Sequence, residues 1–154
     1  MRRLAAALVA LALSAVTLQT ASAQEGETWL TQEKVYLVTL IKVHPNMGEK
    51  YLNNLRRTWI PSLKEAIKEG LILDYKILSS ITFDQGYNLM MITEHPNLAS
   101  FDATDEWRKK IARIVKASEA VTSEEEADKI VSGVYPEIRT YLSDKILREI
   151  KFIE

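Results

Sequence analysis

The sequence predicts a single α+β domain in which four antiparallel strands carry helices on one face. Three observations predict it. A passage occurs twice, Tyr36–Asn46 (YLVTLIKVHPN) and Tyr87–Asn97 (YNLMMITEHPN), 51 positions apart, sharing Tyr, Ile and a closing His-Pro-Asn. Each copy reads as a strand running into a turn, and an amphipathic helical stretch follows each. No low-complexity tract or long linker divides the chain into two domains.

The N-terminus reads as an address. Arg2 and Arg3 precede an apolar run, Leu4 to Leu18, and Ala21-Ser22-Ala23 supplies small residues for cleavage before Gln24. The run is shorter than the about 20 residues that span a bilayer, and no Cys sits where a lipoprotein anchor needs one. Residues 1–23 are therefore expected to be a signal peptide, with a periplasmic or secreted product and no membrane association after cleavage. Removing 23 of the 154 residues leaves 131, enough for one real core. The formal charge of −1 becomes −3 once the two signal arginines are lost. No basic excess points to nucleic acid. An exported chain without Cys has no disulfide, thiolate nucleophile or Cys-ligated metal.

Residues 24–33 (QEGETWLTQE) read as an irregular lead-in to the domain, 34–154. Lys34–Val43 is strand-like, rich in β-branched and aromatic residues. Pro45 stops the ladder and Asn46 is the expected helix cap, with Glu49 three residues on. The helix runs to about Glu69 with Leu52, Leu55, Trp59, Leu63 and Ile67 on one face. Pro61 should kink or split it near Trp59, and Gly70 ends it. Leu71–Thr82 is a second strand, with Tyr75, Ile77 and Ser79 on one face. Phe83–Gly86 is a hairpin connection and Tyr87–Glu94 the third strand. A helix follows from about Leu98 or Phe101 to Ser118, its stripe marked by Trp107, Ile111 and Ile114. Ser123–Glu126 is a capping box opening a short acidic helix through Val131. Gly133 should break it, and Pro136 should start a second short helix with Ile138, Tyr141 and Leu142 inward. Lys145–Ile153 is the closing strand.

That order, β-α-β-β-α-(α)-β, is the ferredoxin-like split βαβ arrangement: a four-stranded antiparallel sheet, helices on one face, extra short helices before the last strand. The strands carry apolar residues on both sides, so the face without helices needs a cover, and a second copy of the sheet is the natural one. Through element order and segments such as KVHPNMGEKYLNNLRRTW and EGLILDYKILSS, residues 34–153 resemble the dimeric α+β barrel superfamily. That superfamily includes antibiotic-biosynthesis monooxygenase, stress-responsive A/B barrel and NIPSNAP-type domains. The resemblance implies a homodimer. No diagnostic catalytic motif is matched: there is no Gly-rich phosphate loop, no G-x-S-x-G and no H-E-x-x-H.

His44 and His95 are the only histidines. In this topology they close antiparallel neighbouring strands and lie about 30 Å apart, too far to share a metal. His-Pro-Asn then reads first as a strand stop, and second as the carrier of a general base, His44. The candidate catalytic residues are His44 and Tyr75. The candidate ligand-binding residues are Tyr36, Trp59, Ser79 and Met91, and no metal or cofactor is called for. The expected function is binding of a small, largely apolar molecule. The alternatives are a cofactor-independent monooxygenase- or cyclase-like enzyme acting on an aromatic substrate, and an interaction module with a filled interior. Strand parity places His44 with Tyr36, Val38, Leu40 and Lys42, without saying whether that face meets the helices.

Overall fold

A computed structural model describes residues 29–81 and 86–153. The signal-peptide reading, and most of the expected hairpin connection, lie outside them. The order is β1 (Trp29–Val43), α1 (Gly48–Arg57), α2 (Trp59–Lys68), β2 (Asp74–Ser79), β3 (Leu89–His95), a 3-10 turn (Leu98–Phe101), α3 (Asp105–Glu119), α4 (Glu124–Asp128), a π-helical segment (Lys129–Val134), α5 (Tyr135–Ile138) and β4 (Arg139–Phe152). The strands form one antiparallel sheet in the order β2-β3-β1-β4. This is the expected ferredoxin-like split βαβ topology. No helix among the described residues is long and apolar enough to cross a membrane.

Register fixes the faces. Ile41 lies opposite Leu89, Thr39 opposite Met91, and Met91 opposite Ile77. These residues face the helices, and Ile41, Leu89 and Met91 are buried against Tyr51 and Leu55 of α1. Tyr36, Val38 and Leu40 lie opposite Glu94, Ile92 and Met90, and their side chains share the outer face. Val38 is buried there, Tyr36, Leu40, Met90 and Ile92 are partly exposed, and Leu78 and Leu147 are exposed. Among the described residues, the helices whose core contacts define the opposite face leave this outer face uncovered.

The first helix divides as the proline predicts. Thr58 separates α1 from α2, and Pro61 occupies the first turn of α2, where a missing N–H costs nothing. Gly70 follows at φ 68°, the left-handed stop. Thr104 caps α3 by accepting from the Trp107 N–H at 3.1 Å, and Ser123 accepts from the Glu126 N–H at 3.4 Å.

Four expectations are corrected. Asn46 is not the cap: it sits at φ 63°, turning the chain, and Met47 precedes α1 without a side-chain cap bond. Asn tolerates this region better than most side chains. β1 begins at Trp29, because Trp29–Thr31 pair with Ile150–Phe152, so part of the supposed irregular lead-in is strand. Gly133 does not end a helix. It lies inside the π-helical segment, whose wider turn carries the chain from α4 into α5 and sends Ile130, Tyr135 and Ile138 into the core. Finally, β4 starts at Arg139. Tyr141 and Leu142 are strand residues, 54% and 43% exposed, with Leu142 the extra residue of a bulge between the Leu40–Ser143 and Ile41–Tyr141 pairs.

Candidate functional site

The end of β1, the end of β2 and the start of β3 meet beside the first turn of α1 and enclose an open cleft of about 780 Å³. Val43, Leu52, Ile77 and Leu89 supply apolar wall, and Lys42, His44, Ser79 and Asn88 supply polar groups. Local chemistry builds this corner. Pro45 ends the strand, Asn46 reverses the chain, and the Met47 N–H donates to the His44 carbonyl at 3.1 Å. The Asn88 side chain closes the ladder against the backbone of Val43.

His44 is tied to the protein through both ring nitrogens. Nδ1 lies 2.9 Å from the Glu137 carbonyl and Nε2 lies 3.1 Å from Thr140 Oγ1. A carbonyl only accepts, so Nδ1 carries the hydrogen; in the neutral ring Nε2 then accepts from the Thr140 hydroxyl. The His44 backbone N–H also donates to the Ile138 carbonyl at 2.9 Å. The residue thus joins the end of β1 to the α5–β4 junction. Its ring would have to release Thr140 before accepting a substrate proton.

The other candidate residues do not gather around His44. Ser79 lines the same cleft. Tyr75 and Trp59 form an edge-to-face pair, centroids 6.1 Å apart at 74°, where α2 crosses β2. Met91 is core, its sulfur accepting from the Tyr51 hydroxyl at 3.4 Å. Tyr36 is on the outer face, where with Asp74, Tyr75, Lys76, Ile92 and Glu94 it borders only a shallow dimple, in which two candidates, Tyr36 and Tyr75, meet. By parity His44 shares the face away from the helices, although it sits beyond the strand end and reaches the cleft from its rim. His95, opposite Val35, closes the other end of the sheet. Among the described residues no three His, Asp or Glu side chains group to hold a metal ion.

A second polar cluster lies under α5. The Arg139 guanidinium is 4.3 Å from the Tyr135 ring centroid and 5.3 Å from that of Tyr51. Its Nη1 donates to the Tyr51 hydroxyl at 2.6 Å. The Tyr135 hydroxyl meets Thr58 Oγ1 at 2.7 Å, and Thr58 donates in turn to the Asn54 carbonyl. Burial raises both tyrosine pKa values; Arg139 opposes the rise in both, and Thr58 opposes it in Tyr135. Tyr51 is fully buried and Tyr135 nearly so, which makes this a structural network out of reach of substrate.

Lys42, Leu52, Ile77, Asn88 and Leu89 are cleft residues that sequence reasoning did not select. Leu52 belonged to the helix stripe, yet it is 47% exposed and turned to the cleft. A stripe position near the start of the helix, beside a strand end, was the available signal.

No protein-family model and no curated protein matches the chain. The solved structures similar to this chain are distant from it in sequence. A dimeric ferredoxin-like protein of unknown function from Bacteroides fragilis is 12% identical, covering 80% of this chain and 100% of its own, with a TM-score of 0.39. A dimeric ferredoxin-like protein from an uncultured marine organism is 13% identical, covering 75% and 94%, at 0.45. A NIPSNAP-like domain protein from Burkholderia xenovorans is 9% identical, covering 79% and 85%, at 0.41. The fold assignment itself rests on the strand order and register of this chain.

Proposed function

We propose that this chain is an exported homodimer that binds a small, largely apolar molecule in the cleft beside α1. The observation that carries the reading is the cleft itself. Its volume of about 780 Å³ falls within the about 300–1,000 Å³ of small-molecule sites, and its mix of apolar wall with a few polar groups is what such sites use. Binding is favoured over proton-transfer catalysis because both nitrogens of His44 are already engaged, and Tyr75 packs on Trp59 away from the cleft rim. The uncovered outer face supports the homodimer: Leu40, Met90 and Leu78 form one apolar row across it and Val38 and Ile92 the centre of the next, between Lys76 and Lys145.

Native mass spectrometry of the protein expressed with its N-terminal segment tests the three parts together. A mass starting at Gln24 is expected, in pairs, with a co-purifying small molecule or uptake of an added apolar probe such as a naphthalene. Leu52→Asp should abolish uptake without unfolding the protein. Uptake unchanged in that variant would remove the cleft as the site, and a monomer at micromolar concentration would remove the dimer.

A further inference from the structure

A second hollow lies on the other flank of α1, and Asn46 alone borders both it and the cleft. It is an open groove of about 560 Å³ between α1 and the π-helical segment. Lys50, Asn53, Asn54 and Arg57 fall at i, i+3, i+4 and i+7, one face of the helix. Ile130 and Val134 supply the apolar wall opposite. A polar helix face is ordinarily a solvated one. This one differs in three ways. Asn53 and Asn54 stand in the middle of α1, where no cap calls for them and where Asn is among the poorer helix formers. The side chains of Asn46, Asn53 and Asn54 make no hydrogen bond to another described residue, although Asn54 is half-buried. The charges are balanced: Arg57 pairs with Glu126, and Glu49 borders the groove with Lys50.

We propose that this groove is a second binding site, for a neutral, polyhydroxylated molecule of the saccharide class. A carboxamide offers one carbonyl acceptor and two N–H donors, and a hydroxyl both donates and accepts, so the three asparagines and a row of hydroxyls satisfy one another. Ile130 and Val134 suit the C–H face of a sugar ring. With Lys50 and Arg57 matched by Glu49 and Glu126, the groove lacks the excess of positive charge that a phosphate or carboxylate ligand calls for. Lys50 to Arg57 spans about 10 Å of helix, the length of a disaccharide. The volume of about 560 Å³ also lies within the about 300–1,000 Å³ of small-molecule sites. The groove shares no apolar wall with the cleft, so this site stands or falls independently of binding there.

NMR of the side-chain amides tests the groove. Maltose, cellobiose and chitobiose are each titrated to about 100 mM, with inorganic phosphate as the anionic control. The NH2 signals of Asn53 and Asn54 should shift saturably with at least one disaccharide and stay in place with phosphate. Asn53→Ala should weaken that binding by about tenfold or more. Its urea midpoint should hold or rise, because Ala is the better helix former, and the cleft should still take up naphthalene. Asn53→Asp keeps the acceptor and loses the donor, and should weaken binding as well. No saturable shift with any of the three sugars, or shifts gathered at Asn88 of the cleft, would overturn the groove as their site. A phosphate response equal to that of the sugars would overturn the ligand class, and sugar binding unchanged in both Asn53 variants would overturn the role of the amides.

Discussion

The side chain of Asn88 stands in for a strand residue opposite Val43. The Val43 N–H donates to Asn88 Oδ1 at 2.7 Å, and Asn88 Nδ2 donates to the Val43 carbonyl at 2.7 Å. One amide thus satisfies both backbone groups where the β1–β3 ladder runs out after the Ile41–Leu89 pair. Only a side chain with a donor and an acceptor at this spacing can do so. Asn88→Ala should lower stability by about 1–2 kcal/mol, read from urea unfolding. Asn88→Asp should cost at least as much at neutral pH, because a carboxylate then faces the Val43 carbonyl, and should recover in part as the carboxyl protonates. An aspartate variant as stable as wild type would show that the Nδ2 bond contributes nothing.

His44 acts on the same corner from the other side of β1. Its two ring contacts, to the Glu137 carbonyl and the Thr140 hydroxyl, bridge residues 93 and 96 positions away. They close the turn from α5 into β4 against the end of β1. His44→Ala should destabilise by about 1–2 kcal/mol, while uptake of an apolar probe persists. The geometry also fixes the neutral tautomer: nitrogen NMR should find the hydrogen on Nδ1. A Nδ1 resonance of the unprotonated type at high pH would break the link to Glu137.

The strand and helix order was legible because each half of the chain repeats one device, an apolar strand closed by His-Pro and followed by an amphipathic helical stripe. The start of the closing strand was not. Ile138, Tyr141 and Leu142 fall at helical spacing, and only pairing with β1, with Leu142 taken up as a bulge, makes the last two strand. Trp29–Glu33 read as lead-in because polar residues crowd the passage, and the strand there is completed by residues more than 110 positions away. Site residues were half legible for a related reason. Parity grouped Tyr75 with Ser79 and His44 with Tyr36, but nothing in one chain's alternation says which face the helices take. Once the helices choose the face of Met91, Tyr36 falls on the opposite side and Met91 becomes core.

Arg139 marks where the extra helices join the ferredoxin-like core. Its guanidinium lies against Tyr135 and Tyr51 and donates to the Tyr51 hydroxyl. No carboxylate pairs with it among the described ion pairs, so the rings and the hydroxyl are its main support. Arg139→Met should cost about 2 kcal/mol, and Tyr51→Phe about 1 kcal/mol. The two effects should be less than additive in a double-mutant cycle, because they share one hydrogen bond. Ultraviolet titration supplies a second check. Arg139 opposes the burial that raises the Tyr51 pKa, so removing it should push that phenol higher still.

His95 gives the fold a dependence on acid. It is 8% exposed, its ring lies 4.4 Å from that of Phe101, and Nε2 meets Thr93 Oγ1 at 2.9 Å. Nδ1 is buried without a well-formed hydrogen bond, the Leu71 backbone beside it opposing the shift only in part. Burial lowers its pKa below the ordinary 6.5. Above that ordinary value both folded and unfolded imidazoles are neutral and pH has no grip on stability through this group. As pH falls through it, the unfolded chain takes up a proton that the folded chain refuses. Stability then declines until the lower folded pKa is reached, and levels off. Urea midpoints between pH 7.5 and 5 should fall in wild type and fall less in His95→Gln, which keeps a polar contact to Thr93 but cannot titrate. Equal declines in the two proteins would assign the acid sensitivity to other groups, and a wild-type midpoint that rises on acidification would reverse the sign argued for this histidine.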